Sequence, residues 1–362
     1  MEAIRTICCK LTPTAEQAVE LDATLVAFAE ACNHLARRAA ETGTKGHLAL
    51  HKLAYRETRT AFGLSANLAV RAIGRVAAVK DISRFAPTSV SYDARIFAFR
   101  ERDWTFGLTL LHGRHRLNAQ LGDFQRTALA GKVPTSATLV KRNGGYFLHV
   151  QVKEVVPDSL PASEFLGVDL GIVQIATDST GEAFSGAAVE RNRKRRMTAR
   201  KQYQRKGTKS AKRRLKRMSG RQARYQSWVN HGISKSLVGK AKALGTGIAL
   251  EELSGLRDRC EQTASRRFRR RLGNWSFFQL RQFVEYKARR AGVPVVLVDP
   301  RYSSQTCAVC GHCERANRKS QSEFVCKHCG HSTNADRNAA CNLRERGERA
   351  WAVCKPAPKV AG

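Results

Sequence analysis

The chain has 362 residues, enough for two or three domains with sizeable cores, and carries 64 Lys/Arg against 30 Asp/Glu, a net charge of +34. Such self-repulsion calls for a polyanion, nucleic acid first, and excludes a small acidic substrate as the main partner. No apolar run approaches the roughly 18 residues of a membrane span and no signal-peptide pattern opens the chain, so a soluble cytoplasmic protein with no membrane partner is expected.

The charge is uneven. Residues 1–160 hold 22 Lys/Arg and 14 Asp/Glu, a balance of +8, whereas residues 161–362 hold 42 and 16, a balance of +26. The polyanion should therefore lie mainly against the second half.

Taken in order, Glu2 to Leu11 reads as a β-branched strand, and Thr12-Pro13 as a helix N-cap followed by proline at the first helical position. The helix beyond has Val19, Val26, Ala29, Cys32 and Leu35 along one face and ends at the Thr42-Gly43-Thr44 turn. Residues 48–84 are again helical with a break near Gly63. Their basic residues Arg71, Arg75 and Lys80 fit either a solvated face or a nucleic-acid contact. From Ser89 to Val156 the pattern turns to short β-rich segments, with a hairpin at Asn143-Gly144-Gly145. This predicts a small β-barrel with helices inserted at about 12–85. Pro157 to Pro161 is the expected linker to a second domain over 161–343.

That domain opens on three strand candidates, Phe165–Asp169, Val173–Thr177 and Glu182–Ser185, which imply an antiparallel meander. Asp169 closes the apolar run of the first, and a buried acid is costly unless it binds something. Residues 191–224 then hold 17 Lys/Arg in 34 positions and no acid. We expect a basic helical hairpin over 189–244, turning near Gly207, with Arg193, Lys194, Arg195, Arg196, Lys201, Lys212, Arg213 and Arg214 on phosphates. Tyr203, Tyr225 and Trp228 beside it suit either base stacking or a core.

Ile248 to Leu253 is the next strand, ending in Glu251 and Glu252. Alternation alone does not choose between these two, because adjacent strand residues face opposite ways. Arg266 to Arg271 forms a second basic cluster, with Arg267, Arg269 and Arg270 as candidate contacts. A helix over Trp275–Ala291 and a buried strand over Val293–Pro300 complete an α/β order with a mixed central sheet.

Cys307-x-x-Cys310-Gly311 and Cys326-x-x-Cys329-Gly330 are two knuckles that can close a tetrahedral site. Four thiolates saturate one Zn²⁺, so the ion is structural. Asp336 stands just before a helix. Together with Asp169 and a strand-end glutamate it could bind two hard divalent cations, as in-line phosphodiester hydrolysis requires.

At this point the residues resemble a family. Asp169 in Gly-Val-Asp-Leu-Gly, Glu251 in Leu-Glu-Glu-Leu, Tyr302-Ser-Ser-Gln-Thr-Cys307-x-x-Cys310-Gly311, and Asp336 in Asp-Arg-Asn-Ala-Ala-x-Asn follow the order of TnpB. These are the OrfB-type proteins of insertion sequences, related to type V CRISPR effectors. The resemblance implies an RNase H-like RuvC nuclease domain of α/β class with a zinc ribbon inserted at 301–333. It also implies an N-terminal wedge barrel with a helical recognition insertion. Asp169, Glu251 and Asp336 would be the catalytic ligands of two Mg²⁺ or Mn²⁺, the family choosing Glu251 over Glu252. A guide RNA transcribed from the element's end and a double-stranded DNA target next to a short motif would be the partners. A monomer in a prokaryotic cytoplasm, associated with the nucleoid, is favoured. The segment from Gly347 onward is not family-like, and 344–362 is expected to be a flexible tail. A non-cleaving nucleic-acid-binding regulator and a strand-transferring transposase using the same acids remain alternatives.

Overall fold

The computed structural model describes residues 2–79, 84–254 and 276–354. The chain forms two compact units, Met1–Val155 and Val156–Gly362, so the division falls five residues earlier than the linker suggested.

In the first unit, β1 (Glu2–Leu11) is followed by three helices, α1 (Ala15–Thr42), α2 (His47–Ala61) and α3 (Ala66–Ala77). The remaining strands are β2 (Ser89–Asp93), β3 (Phe97–Arg100), β4 (Thr105–Leu110), β5 (Gly113–Leu117), β6 (Ala119–Gln120), β7 (Pro134–Arg142) and β8 (Gly145–Val155). A short helix α4 (Asp123–Leu129) precedes β7. The strands form a five-stranded sheet in the order β2-β7-β8-β1-β6 and a three-stranded sheet β3-β4-β5. β7 and β8 turn at Asn143 and Gly144, both at positive φ, as a tight hairpin needs.

Two local expectations shift. The first helix is capped by Thr14, which accepts from the Gln17 N–H while Gln17 caps back, so the start lies two residues beyond the Thr12-Pro13 signal. Its buried face runs through Leu21, Leu25, Phe28, Cys32 and Leu35, whereas Val19 and Val26 are exposed. Arg71 pairs with Asp93 at 2.8 Å, and Arg75 donates to the Ser89 carbonyl at 2.6 Å and lies over Phe28. Both therefore fasten α3 to β2. Lys80 lies outside the described residues.

The second unit is built on a mixed sheet of β9 (Phe165–Asp169), β10 (Gln174–Asp178), β11 (Ala183–Ser185), β12 (Gly247–Glu251) and β13 (Val295–Val298), in the order β11-β10-β9-β12-β13. The meander β9-β10-β11 is antiparallel, and β12 runs parallel to both β9 and β13. Between β11 and β12 lie α5 (Ala187–Lys206), α6 (Lys209–Met218) and α7 (Arg221–Leu244). The expected hairpin is thus three helices, because left-handed glycines stand at both Gly207 and Gly220. Helix α8 (Phe277–Ala291) leads into β13, and the two-stranded β14 (Glu323–Val325) and β15 (Ser332–Asn334) precede α9 (Ala335–Cys354).

Strand alternation sorts the sheet's two faces. Leu166, Val168, Ile248 and Leu250 join Ile233, Leu237, Leu280 and Val284 of α7 and α8 in one core. Gly167, Gly247 and Ala249 point the other way, towards α9. A Cβ on Gly167 would stand 2.0 Å from the Ala340 carbonyl oxygen, so only glycine lets this helix lie so close.

Helix α9 corrects the expectation of a flexible tail from 344. It continues to Cys354, with Gly347 packed on Ala249, Trp351 set edge-on to Phe165, and Arg346 donating to the Asp299 and Arg301 carbonyls. Wide spacing of apolar residues among charges hid this face.

Candidate active site

Asp169 and Glu251 end adjacent parallel strands. Leu250 is paired with Val168, which puts the two acids at the next position of the same register and on the same face of the sheet. The two carboxyls interact directly, and the Leu170 N–H bears on Glu251. Glu251 is buried, at 6% exposure. Burial, and then the charge of Asp336, push Asp169 up to about 7, and burial followed by the charge of Asp169 raises Glu251 well above the usual carboxylate range.

Glu252 faces the opposite way. It accepts from Arg281 of α8 at 2.8 Å and from the Ser254 N–H, contacts that hold its carboxyl below the ordinary value against some burial.

Asp336 comes from the first turn of α9. The Asn334 side chain caps that helix by accepting from the N–H groups of Asp336 and Arg337. Burial raises Asp336, and the ion pair with Arg318 at 3.3 Å partly offsets this. Asp336 also acts on Asp169 through its charge, which places the three acids in one electrostatic cluster. Among the described residues, Cys307, Cys310, Cys326 and Cys329 bring four ligand atoms within 4.8 Å of one another.

The cysteine site is compact. Sγ of Cys307 lies 3.7 Å from that of Cys329, and Cys310 lies 3.6 Å from Cys326. Tetrahedral Zn²⁺ with Zn–S near 2.3 Å demands S–S separations of about 3.75 Å, so the four thiols fit that ion. The two knuckles repeat one scheme: the Cys307 N–H donates to His312 and Gly311 to Cys307, while Cys326 donates to His331 and Gly330 to Cys326.

Sequence reasoning missed what joins these two sites. Asn338 donates to the Thr306 carbonyl and accepts from the Ala308 N–H, and Asn342 donates to the carbonyls of Ser303 and Thr306. Both asparagines are buried. They stand four residues apart on α9, two and six residues beyond Asp336, and that spacing was the available signal. Arg318, which pairs with Asp336, follows the buried Asn317 of the ribbon.

Of the candidate phosphate contacts, Lys194, Arg195, Lys201, Lys212, Arg213 and Arg214 are exposed on α5 and α6. Arg193 is instead held by Glu190 through two 2.7 Å hydrogen bonds, and Arg196 donates to Asn192. Arg267, Arg269 and Arg270 lie outside the described residues.

Residues 277–343 match the family model described as Cas12f1-like, TNB domain. The chain is 30% identical over 236 residues to the CRISPR-associated endodeoxyribonuclease Cas12f1 of Sulfoacidibacillus thermotolerans, covering 59% of this chain and 54% of that one. In sequence it is similar to proteins named Cas12f1 and TnpB-like. The putative RNA-guided DNA endonuclease InsQ of Escherichia coli strain K12 is 29% identical over 233 residues, 59% of this chain and 57% of its own. The chain thus spans about half the length of the curated relatives it matches. Its fold matches that of Cas12f1 in a solved complex with guide RNA and target DNA, with a TM-score of 0.63 at 13% identity over 91% of this chain and 83% of the other. The architecture is therefore the α/β fold of Cas12f-type effectors, with a four-cysteine ribbon suited to zinc. Among the described residues, no helix is long and apolar enough to cross a membrane.

Proposed function

We propose that the chain is an RNA-guided, divalent-metal-dependent DNA endonuclease of a transposable element. The observation that carries this reading is the cluster of Asp169, Glu251 and Asp336 on the ends of two parallel strands and a helix start, all three raised by burial, with the charge of Asp336 adding to Asp169 and that of Asp169 to Glu251. Acids so crowded have every reason to hold cations. They would hold a pair of ions, either Mg²⁺ or Mn²⁺. When bound, such ions activate water and stabilise the leaving oxygen of a phosphodiester.

The chain's own residues would do the rest. Asp169, Glu251 and Asp336 would hold the ions. Arg318 supplies a cation at the rim, next to where a phosphate would lie. The exposed cations of α5 and α6 would hold the backbone of RNA or DNA. One Zn²⁺ on Cys307, Cys310, Cys326 and Cys329 would fix the ribbon, and through Asn338 and Asn342 the register of α9. The two sheets of the first unit and helices α1–α3 would serve as wedge and recognition parts. A guide RNA and a double-stranded DNA target are the implied partners, supported by what the Cas12f1 relative is bound to in its solved complex.

The test is co-expression with the flanking element. One discrete RNA species should copurify and resist moderate salt, and its removal should abolish sequence-directed cutting. RNA-free protein that still cut the same site would refute guidance.

A further inference from the structure

Helix α7 carries Trp228 on its outer surface, 70% exposed, stacked on Tyr225 with ring centroids 6.0 Å apart and planes 27° from parallel. One helical turn further, exposed His231 stacks on Phe283 of α8 at 3.9 Å. These rings lie outside the core that the same helices form with Ile233, Leu237 and Val284. An indole left this open beside a second ring is a ready surface for a flat apolar partner.

The setting is cationic. Helix α7 holds Arg221, Arg224, Lys235, Lys240 and Lys242 and no Asp or Glu, and Arg221, Arg224 and Lys235 are exposed. A second protein with an apolar patch would need acids to match. A strand of unpaired bases offers rings and phosphates together.

The topology places this surface at the catalytic end of the sheet. Only Gly245 and Thr246 separate α7 from β12, so the chain reverses there, and the N-terminal half of α7 lies towards the end of β12 that carries Glu251. Helix α8 leads into parallel β13 in the same sense, and Asn230 of α7 holds the start of α8 through Ser276.

We propose that Trp228, with Tyr225 behind it and Arg221 and Arg224 beside it, is a stacking platform for unpaired bases of the DNA strand that enters the carboxylate site. The inference rests on the nuclease reading for the choice of DNA, but stacking itself is measured without cleavage.

The whole protein in magnesium-free buffer at moderate salt would be titrated with oligo-dT of about 12 nucleotides, within the span of such platforms, and with an abasic strand of equal length. Wild type should bind oligo-dT about tenfold more tightly than the abasic strand, with quenched tryptophan fluorescence. Trp228→Ala should bring the two affinities to near parity while leaving the abasic affinity unchanged. Trp228→Phe should keep most of the preference and lose most of the quenching. An undiminished oligo-dT preference in Trp228→Ala would overturn the proposal, as would a Trp228-dependent preference confined to oligo-U. A smaller oligomer in Trp228→Ala with unaltered DNA binding would also overturn it, assigning the ring to a second copy of the chain. If the protein proved not to be a nuclease, base-dependent binding would still stand. A working nuclease with parity already in the wild type would lose the platform alone.

Discussion

Replacing Asp169 with Asn in magnesium-free protein should stabilise the second unit, and by more at pH 8 than at pH 5. Asp169 sits at about 7 against 3.8, because burial and then the charge of Asp336 oppose its ionisation. A folded-state pKa above the unfolded one means the native state holds the extra proton between those values. Stability therefore falls as pH rises from about 4 to about 7 and is level beyond. At about 1.4 kcal/mol per pKa unit, ionising Asp169 costs on the order of 4 kcal/mol at pH 8 and less than half of that at pH 5. Asn has the same shape and never ionises. The gain from Asp169→Asn should thus be about 3 kcal/mol larger at pH 8 than at pH 5. Urea unfolding followed through tryptophan fluorescence, with zinc retained, reads this directly, since Trp351 packs on Phe165 of β9. Added Mg²⁺ should stabilise wild type and leave the variant nearly unchanged. A gain independent of pH, or a loss, would refute the claim that the acids are crowded in the absence of metal.

Three further outcomes follow from the same geometry. Glu251→Ala should abolish cleavage, whereas Glu252→Ala should only loosen α8 by about 1 kcal/mol through the lost Arg281 pair, and equal loss of cutting would reverse that assignment. Cys326→Ser should reduce zinc from one per chain to none by elemental analysis. It should also cost at least about 3 kcal/mol, because the hydrogen bonds of Asn338 and Asn342 lose their fixed partners. Arg318→Gln removes the cation that lowers Asp336, so the acid limb of the cleavage profile should move to higher pH; an unmoved limb would mean the pair does not persist in the working enzyme.

Much of the second unit is legible in the sequence. The apolar runs ending in Asp169 and Glu251 give strands β9 and β12 nearly to the residue, and the two Cys-x-x-Cys-Gly knuckles give the ribbon. The side-chain period of two leaves Glu251 and Glu252 undecided until the pairing of β12 with β9 sets which carboxyl meets Asp169. Helix α9 beyond Leu343 is obscured for another reason. Its contacts run through Gly347, Arg346 and Trp351, whose spacing among charged residues gives no apolar stripe, and glycine signals a helix end when it is in fact a point of close packing. Arg193 shows the limit of reading charge alone: a run of cations does not reveal which are already satisfied within the helix.

The most direct measurement is cleavage by the purified ribonucleoprotein. Wild-type protein carrying its element-derived RNA would be mixed with plasmid bearing the matching sequence, with and without Mg²⁺, and the product ends sequenced. Mg²⁺-dependent breaks at one position set by the RNA, absent with Asp169→Ala and moved by changing the guide, are the predicted result. Breaks that ignore the guide, persist in Asp169→Ala, or appear as joined strands rather than free ends would contradict the account.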